Sequence, residues 1–467
     1  MVTLPRVVIA APASGHGKTM IATGLMAALR AVGYAVSPHK VGPDYIDPGY
    51  HAVAAGRPGR NLDPHLQSEA LVAPLLVHGA LTPEPADVAV IEGVMGLFDG
   101  AIGTRGYSST AHVARLVGAP VVLVVDCSST ARSVGAVVHG FAHFDPDVQI
   151  TGVILNNVAS ARHEAEAREG VESTGVPVLG CVPRRPDVVV PSRHLGLVPA
   201  AERQQQATGA VDALATLIAG HVDLDAVVAL ARRAPDLDVE PWCPTRAVGG
   251  SVAHGPRIAV AGGAAFTFDY AETTELLTAA GAEVVDFDPL HDRELPSGVA
   301  GLVIGGGFPE AHAHVLSQNA SLRRSIQAFV AGGGAVAAEC AGLLYLGTAL
   351  EDEPMCGVLP FTAAMGPRLT LGYRTAVALS DSVLARVGER VTGHEFHRTS
   401  ITHELGSRAG QGAWGWVGPA GERVREGFVT GRVHASYLHV HWAGHPRLAR
   451  RFVEAAATAA ATRGSAA

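Results

Sequence analysis

The chain has 467 residues, of which 48% are hydrophobic, and this length allows two or three domains that each bury a core. Its formal net charge of −8, without a long basic run, gives no support for nucleic acid or an anionic membrane surface as a partner. No apolar run approaches the roughly 20 residues that span a bilayer, and the five widely spaced cysteines predict neither a disulfide framework nor a zinc cluster, so we expect a soluble cytoplasmic protein.

The first half of the chain alternates short β-branched runs with helical patterns. Strands are predicted over residues 6–10, 35–37, 88–91, 121–125 and 153–155, and a helix is predicted over residues 20–31. Continuous apolar strands separated by helices indicate a parallel sheet that is covered on both faces. The first half is therefore predicted to be a doubly wound α/β domain.

The periodicity is lost in a Pro-, Gly- and Arg-rich stretch over residues 236–256, which predicts a linker. A second series of apolar strands follows over residues 258–260, 284–285, 302–304 and 335–338. We therefore predict an α/β fold with two tandem doubly wound parallel-sheet domains. They cover residues 1–235 and 257–450, and an Ala-rich C-terminal tail covers residues 451–467.

A glycine-rich turn lies between the first predicted strand and the first predicted helix. Its candidate phosphate-binding residues are Ser14, Gly15, His16, Gly17, Lys18 and Thr19. In a phosphate loop the backbone amides and the helix N-terminus surround the phosphates of ATP, the lysine neutralises them, and the threonine hydroxyl binds Mg²⁺. Pro12 replaces the usual first glycine, so the strict pattern fails, and an ordinary glycine turn is the alternative.

Lysine is rare in this chain, because only Lys18 and Lys40 are lysines among 35 basic residues. An ammonium group is a compact point charge that fits among phosphate oxygens, where a planar guanidinium does not. Lys40 is followed by Asp44 and Asp47 on the loop after the second strand, at the edge of a parallel sheet where ligands bind. These carboxylates could bind metal, orient a substrate or cap turns.

Glu92 directly follows the predicted strand over residues 88–91 and lies at the same edge of the sheet. An acidic residue at this place reaches the metal of a bound nucleotide directly or through water. Together with Thr19 and Asp47 it makes a candidate Mg²⁺ ligand set. A surface carboxylate after a buried strand is the alternative.

Cys340 follows the apolar strand over residues 335–338 through a sharp turn of small residues. Such an elbow holds a nucleophile at its tip and places the next backbone amide where it can stabilise an oxyanion. The candidate oxyanion-hole residues are Gly306, Gly307 and Ala341. A buried structural thiol is the alternative for the cysteine.

Two late histidines are candidates for the base that activates Cys340. His439 and His441 are two residues apart, which would place them on the same face of a strand. Another pair, His394 and His397, is three residues apart and lacks both the His-Glu-x-x-His spacing and a helical pattern. A zinc site is therefore not predicted there.

The chain resembles the cobyrinic acid a,c-diamide synthase family in residues 40–47, 92–100, 126–129, 153–157 and 193–197. The N-terminal half of that family is similar to dethiobiotin synthetase, a P-loop NTPase-like enzyme whose phosphate loop also departs from the strict pattern. The second half of the chain resembles the class I glutamine amidotransferase domain of the cobyrinic and cobyric acid synthases. The resemblance thus covers nearly the whole chain.

The resemblance implies roles for individual residues. The implied substrate and metal residues are Lys40, Asp44, Tyr45, Asp47, Glu92 and Asp99, and those near the adenine are Asn156 and Asn157. His439 matches the histidine of the family's Tyr-Leu-His pattern, which makes it the base and leaves His441 as the alternative. Position 441 usually holds a glutamate in class I amidotransferases, so its absence here predicts a catalytic dyad.

The implied substrate is a tetrapyrrole-derived macrocycle that carries many carboxylates. A local basic patch could pair with these carboxylates through Arg184, Arg185, Arg193 and His194. Solvated surface residues are the alternative interpretation of this patch.

We therefore expect ATP- and Mg²⁺-dependent amidation of the a and c side chains of cobyrinate or hydrogenobyrinate, with glutamine as the nitrogen donor. Alternatives within the class are synthases that act on nickel sirohydrochlorin or form cobyric acid. An alternative from another class is a P-loop ATPase switch with an inert amidotransferase-like domain. The sequence is compatible with a homodimer.

Overall fold

The computed structural model describes residues 1–185, 192–193, 196–253, 255–403, 412–418 and 420–464. The chain folds into two compact units, Met1–Trp242 and Cys243–Ala467, each of which has its own sheet and core. Within the described ranges, no helix combines the length and the apolar character that are needed to cross a membrane.

The first unit alternates strands and helices. Its strands are β1 (Arg6–Ala10), β2 (Val36–Val41), β3 (Arg60–Leu62), β4 (Val88–Glu92), β5 (Val121–Asp126), β6 (Ile150–Val158), β7 (Val178–Pro183), β8 (Ser192–Arg193) and β9 (Gly196–Leu197). Its helices are α1 (Lys18–Ala31), α2 (Asp47–Ala55), α3 (Pro64–Gln67), α4 (Glu69–Leu81), α5 (Thr110–Leu116), α6 (Val134–Phe144), α7 (Ala161–Glu172), α8 (Gln204–His221) and α9 (Leu224–Ala231), and a 3-10 helix covers Ala200–Arg203.

Seven of the described strands form one parallel sheet in the order β3-β2-β4-β1-β5-β6-β7. The central strand β1 pairs with β4 on one side and with β5 on the other. Val7, Val8 and Ile9 are completely buried, as expected for a strand that is covered on both faces. The strand order reverses at β1, so its carboxyl end is the switch point where open α/β sheets bind ligands.

The second unit has strands β10 (Arg257–Ala261), β11 (Glu283–Phe287), β12 (Val299–Ile304), β13 (Ala335–Glu339), β14 (Ala349–Leu350), β15 (Glu353–Pro354), β16 (Phe361–Ala378), β17 (Arg390–His403), β18 (Trp414–Val417), β19 (Arg423–Glu426), β20 (Phe428–Thr430) and β21 (Val433–Ser436). Its helices are α10 (Pro244–Val248), α11 (Ala271–Ala279), α12 (Ala313–Gln318), α13 (Ala320–Ala331), α14 (Ala341–Leu346) and α15 (Arg447–Gly464), and 3-10 helices cover Pro309–His312 and Trp442–Gly444. Helix α10 lies inside the stretch 236–256 that was predicted as a linker.

The main sheet of the second unit has the order β11-β10-β12-β13-β21-β20, and only β20 runs antiparallel to its neighbour. The strands β12, β13 and β21 lie side by side. Ile304 is opposite Ala338, and Glu339 is opposite Ser436. The residues that follow these three strands therefore meet at one edge of the sheet. The two parallel-sheet domains predicted from the sequence are confirmed.

The second unit also contains an antiparallel sheet that the sequence analysis does not predict. Its centre is the long hairpin of β16 and β17, which pair from Phe361 opposite His403 to Val377 opposite Arg390. The register shifts between Met365 and Thr370. This break falls at Gly366 and Pro367 and interrupts the alternating pattern by which a strand is recognised.

The segment predicted as an Ala-rich tail over residues 451–467 starts inside α15, which is one continuous helix. Phe452, Ala456 and Ala459 on this helix are completely buried. Their spacing of three to four residues places them on one face, which packs onto the unit. Ala456 and Ala459 are therefore core residues, because small side chains allow close packing.

Candidate active sites

The loop between β1 and α1 has the backbone shape of a phosphate loop. Gly15 and Gly17 both have a φ of 87°, in the left-handed region that favours glycine. A Cβ atom on Gly17 would lie 2.3 Å from Nδ2 of Asn156, and this amide donates to the backbone carbonyl of His16 at 3.0 Å. Asn156, from β6, therefore fixes the loop, and only glycine fits at position 17.

Lys18 is buried at the start of α1. Its Nζ donates to the carbonyl of Met95 at 2.5 Å and to that of Ala13 at 3.4 Å. Burial lowers the pKa of Lys18 to about 8, and the charge of Lys40 contributes to this shift. An anionic phosphate beside this ammonium group would favour its charged form.

Four predicted residues meet near the carboxyl ends of β2 and β4. Thr19 Oγ1 donates to Glu92 Oε1 at 2.6 Å and lies 3.1 Å from Asp47 Oδ2. Lys40 Nζ donates to Asp47 Oδ2 at 2.6 Å and to Glu92 Oε1 at 2.8 Å. The structure thus brings together side chains from four separate segments of the sequence.

The buried charges of this cluster shift one another's pKa. Burial raises the pKa of Asp47 to about 7, and the nearby charge of Asp44 adds to the shift. Burial would also raise the pKa of Glu92, but Lys40 and His51 hold it well below its usual value. Burial would lower the pKa of Lys40, but Asp47 and Glu92 raise it above its usual value. At neutral pH, Lys40 is charged and Glu92 is ionised.

The donor atoms of this cluster fit a magnesium ion. Mg²⁺ prefers oxygen ligands and is commonly held by one or two carboxylates together with substrate phosphates. Asp47, Glu92 and Thr19 supply two carboxylates and a hydroxyl at the end of a phosphate loop. The described residues contain no group of three or more His, Cys, Asp or Glu side chains arranged for a metal. Substrate phosphates and water would therefore complete the coordination.

His51 belongs to this cluster and was missed by the sequence analysis. Its Nε2 lies 2.6 Å from Glu92 Oε2, and both side chains are completely buried. This contact occupies one oxygen of Glu92 while the other faces Thr19 and Lys40. The available signal was the spacing, because His51 lies one helical turn after Asp47 on α2.

The other predicted residues near this site also have backbone partners. Asp44 accepts two backbone amides at 2.9 and 3.0 Å, and its second oxygen lies 3.9 Å from Lys40 Nζ. Asp99 accepts the backbone amide of Gly96 at 3.2 Å. Tyr45 is buried. Asp44 therefore shapes its turn and also contributes to the field around Lys40.

The remaining predictions for the first unit lie farther along the chain. Asn157 has a φ of 58° and donates to the carboxylate that ends β5 at 2.8 Å. Arg184 and Arg185 are exposed, and Arg184 donates to a backbone carbonyl at 3.4 Å. Arg193 is in β8, and His194 lies outside the described residues. The basic patch stays a prediction.

Cys340 stands on the turn between β13 and α14 with a φ of 49° and a ψ of −99°, a strained conformation for a residue with a Cβ. Its backbone amide donates to the carbonyl of Ser436 at 2.7 Å, and its Sγ lies 3.9 Å from the carbonyl of Phe396. Burial and the charge of Glu310 raise the pKa of the thiol, while the amide of Ala341 lowers it. The thiol therefore depends on a base for its ionisation.

The glycine turn after β12 lies beside this elbow. The amide of Gly306 donates to the carbonyl of Phe268 at 3.2 Å, so it is already engaged. A Cβ atom on Gly306 would lie 2.5 Å from Cε1 of His439, and glycine at this position therefore admits the imidazole. Among the predicted oxyanion-hole residues, the amides of Gly307 and Ala341 remain the better candidates.

His439 follows β21 at the same edge of the sheet. It is buried, and its backbone exchanges two hydrogen bonds of 2.9 Å with His394. Its Nδ1 lies 3.9 Å from Glu339 Oε2. Burial lowers the pKa of His439 to about 3, and His394 and His397 contribute to the shift. The ring is therefore neutral at neutral pH and able to accept a proton.

His441 has different surroundings. Its Nε2 lies 3.7 Å from Glu272 Oε2, and the centroid of its ring lies 4.0 Å from the centroid of the Tyr270 ring. The strand β21 ends at Ser436, so His439 and His441 do not share a strand face, and that expectation is wrong. The backbone turns after β21 and directs the two histidines to different partners.

Glu426 supports the segment that carries the histidine and was also missed by the sequence analysis. Its carboxylate accepts the Ser436 hydroxyl at 2.6 Å and the backbone amide of Tyr437 at 2.7 Å. The ring of Tyr437 stacks on His397 with 3.7 Å between the centroids. Sequence spacing gave no signal for Glu426, because its partners are reached only through the pairing of β20 with β21.

Comparison with known proteins identifies the family. The chain is 57% identical to the hydrogenobyrinate a,c-diamide synthase of Streptomyces coelicolor, over 97% of both chains. It is 54% identical to the enzyme of the same name from Thermobifida fusca, again over 97% of both chains. The chain belongs to the a,c-diamide synthase family. A member named cobyrinate a,c-diamide synthase, from Synechococcus, is 41% identical over 97% of this chain and 99% of its own.

Two family models divide the chain in the same way as its fold. Residues 7–198 match the CobQ/CobB/MinD/ParA nucleotide binding domain, and residues 257–447 match the CobB/CobQ-like glutamine amidotransferase domain. The first match contains the loop at Lys18, and the second contains Cys340 and His439. The first unit is therefore a nucleotide-binding domain, and the second is an amidotransferase domain.

Proposed function

We propose that the protein is an ATP- and glutamine-dependent enzyme that amidates the a and c side-chain carboxylates of hydrogenobyrinate. The observation that supports it most strongly is the presence of two complementary sites in one chain. One is the phosphate loop with Lys18, Lys40 and Glu92. The other is the elbow at Cys340, together with His439, which follows the neighbouring strand β21 at the same edge of the sheet. The first suits carboxylate activation, and the second suits release of ammonia from glutamine.

Carboxylate activation is needed because a carboxylate resists ammonia. Its carbonyl carbon is electron-rich, and hydroxide is a poor leaving group. In the proposed reaction the γ-phosphoryl group of ATP moves to a substrate carboxylate oxygen, which gives an acyl phosphate and ADP. Ammonia then attacks the acyl carbon, loses a proton, and displaces phosphate to form the amide. Lys18 and Lys40 would stabilise the negative charge on the transferred group.

We further propose that ATP is used together with Mg²⁺ held by Thr19, Asp47 and Glu92. When bound, the ion neutralises negative charge on the phosphates. Lys40 contacts both carboxylates and so sets their orientation. Asn156 holds the phosphate loop through the carbonyl of His16, which keeps the loop amides in place for the phosphates.

Glutamine hydrolysis is proposed to start when the thiol proton of Cys340 passes to Nε2 of His439. The thiolate attacks the side-chain amide carbon, and the amides of Gly307 and Ala341 would stabilise the oxyanion. The imidazolium then protonates the leaving ammonia, and a thioester remains on Cys340. Water hydrolyses this thioester to glutamate and restores the thiol.

The choice of hydrogenobyrinate, the cobalt-free substrate, follows from the named relatives. Those named for hydrogenobyrinate are 57% and 54% identical to this chain, whereas the Synechococcus relative named for cobyrinate is 41% identical. Arg184, Arg185, Arg193 and His194 are the proposed partners of the substrate carboxylates. ATP and glutamine are both cytoplasmic metabolites, so we propose that the enzyme acts in the cytoplasm.

Replacement of the nucleophile tests the two-site scheme. Cys340→Ala should lose glutamine-dependent amidation by at least about 1,000-fold, because no thioester can form, and should keep amidation with ammonia. Cys356→Ala is the matched control, since Cys356 is also buried in the second unit. Equal glutamate release by wild type and Cys340→Ala would refute the nucleophile, and loss of both amidations would refute the scheme.

Product analysis tests the substrate. We expect mass spectrometry to show a diamide from hydrogenobyrinate with ATP and either nitrogen donor, at a higher kcat/KM than from cobyrinate. A higher kcat/KM for cobyrinate would leave the reaction unchanged but would contradict the assigned substrate.

A further inference from the structure

We propose that Glu339 is the acid that positions the imidazole of His439. It would take the place of the glutamate that class I amidotransferases carry two residues after the histidine, a position that is His441 here. The inference rests on the proposed glutamine-hydrolysing function of this site. It assigns a positioning role to a residue that contacts the base from the neighbouring strand.

The ring nitrogen that faces Glu339 is the appropriate one. Oε2 of Glu339 lies 3.9 Å from Nδ1 of His439. In a nucleophile, base and acid triad, the acid faces one ring nitrogen and the nucleophile uses the other. A carboxylate at Nδ1 favours the tautomer that carries its proton there and leaves Nε2 free to accept the thiol proton. The separation exceeds a direct hydrogen bond, but such contacts often tighten only when substrate is bound.

The fold fixes both partners through their backbones. Glu339 is the last residue of β13 and is opposite Ser436, the last residue of β21. His439 follows three residues later, and its backbone is bonded twice to His394 of β17. Cys340 directly follows Glu339, so the nucleophile and the proposed acid are adjacent on the same elbow. The acid therefore comes from the nucleophile's strand, not from the histidine's segment.

The charged groups around His439 explain why a carboxylate beside its ring would help it to act as a base. His394 and His397 both act on His439, and each would repel an imidazolium when protonated. Glu339 faces the same ring and would stabilise the imidazolium that forms as the thiol ionises. Burial raises the pKa of Glu339 to about 8, opposed by the Trp442 side chain and the Val440 amide, so the carboxylate that the proposed role requires predominates only above that pH. Asp269 adds to the rise, and the charge of Glu339 in turn raises the pKa of the Cys340 thiol, so the titratable groups that act on the pair include His394, His397, Asp269 and Cys340.

A similar pair lies close in sequence and provides a matched control. Glu272 and His441 are both buried and approach to 3.7 Å, but there the carboxylate faces Nε2. The ring of His441 also packs on Tyr270. If His439 is the base, replacement of Glu272 should disturb packing without removing the acid from the base.

The experiment uses full-length Glu339→Gln, Glu339→Asp and Glu272→Gln, with glutamate release measured against glutamine concentration. Glu339→Gln should lower kcat by roughly 10- to 1,000-fold with a nearly unchanged KM, because the amide cannot stabilise the imidazolium. Glu339→Asp should retain an intermediate kcat. Glu272→Gln should stay within about threefold of wild type. Ammonia-dependent amidation should be unchanged in all three variants.

The pH profile separates positioning from a structural role. The carboxylate form of Glu339 supports the base, so wild-type kcat/KM should rise as this group ionises, and Glu339→Gln should lack that rise. A variant that is only less stable would keep the wild-type pH dependence.

Several results would overturn the inference. Wild-type kcat and pH dependence in Glu339→Gln would do so, as would a large loss in Glu272→Gln alone, which would assign the base to His441. If Glu339→Gln fails to fold and loses ammonia-dependent amidation, Glu339→Asp decides, since wild-type kcat there would exclude a positioning role. Absence of glutamate release by wild type would instead contradict the proposed function itself.

Discussion

At the scale of single residues, Lys40 balances the charge of the site in the first unit. Its buried ammonium group contacts Asp47 at 2.6 Å and Glu92 at 2.8 Å. Without this group, the two buried carboxylates would lose the ammonium group that contacts both of them. Removal of one partner from a buried charged group typically costs about 3–5 kcal/mol. A divalent cation held by the same oxygens would restore part of the compensation.

Lys40→Met should therefore lower the free energy of unfolding by about 3 kcal/mol when Mg²⁺ is absent. Addition of MgCl₂ should recover part of this loss in the variant and should stabilise the wild type less. Urea unfolding with and without MgCl₂ measures both effects.

The control for this prediction is Arg115→Met. Arg115 and Asp145 approach to 2.6 Å, but both are partly exposed, so the pair should contribute only about 0–1 kcal/mol. Its loss should not depend on Mg²⁺. A loss of unfolding free energy in Lys40→Met that falls within this small range would contradict the charge balance described for the site. A loss that does not change when Mg²⁺ is added would contradict it as well.

At the scale of elements, β21 joins the main sheet of the second unit to the segment that carries His439. His434 in this strand is buried, and its Nδ1 lies 3.0 Å from the Ser382 hydroxyl. Burial lowers the pKa of His434 to about 3. Because the unfolded chain binds a proton at a pKa of about 6.5, this histidine contributes stability that is present above that pH and is lost as the pH falls.

His434→Asn keeps a polar atom near the position of Nδ1 and removes the titration. The difference in unfolding free energy between wild type and variant should shrink by about 1 kcal/mol between pH 6.5 and 5.5. The other titrating groups cancel in this difference. Tryptophan fluorescence during urea unfolding is a suitable signal, because Trp414, Trp416 and Trp442 lie in the second unit. If the difference in unfolding free energy is the same at both pH values, His434 is not a buried histidine that stays neutral in the folded protein.

The sequence predicts elements well where a pattern is local. Continuous apolar strands and the elbow at Cys340 are local, and the parallel sheets and the strained turn are found where they were expected. The β16–β17 hairpin is missed because Gly366 and Pro367 interrupt its alternation. Glu339 is missed for another reason. It meets His439 through the order of the strands, which no spacing in the sequence reveals, whereas the only signal for His51 was its spacing from Asp47.

At the scale of the whole molecule, the chain combines a nucleotide-binding domain and an amidotransferase domain, and in the proposed scheme their reactions share only ammonia. In that scheme the thiol chemistry at Cys340 needs no phosphate, and the phosphoryl transfer at Lys18 needs no thiol. Each reaction can therefore be removed separately by substitution. The outcome shows whether glutamine hydrolysis proceeds by itself or waits for ATP.

Lys18→Ala should lose amide formation with both glutamine and ammonia by at least about 100-fold, because the phosphates lose their point charge. Basal glutamate release should remain within about threefold of wild type, since Cys340 and His439 are unchanged. Lys18→Arg is the matched variant. It keeps the charge but brings a planar guanidinium into a loop that Asn156 holds closely at Gly17, so it should restore little activity. Coupled assays of phosphate and glutamate measure the two reactions together. Loss of glutamate release in Lys18→Ala would contradict independent sites and would show that the amidotransferase domain responds to the nucleotide.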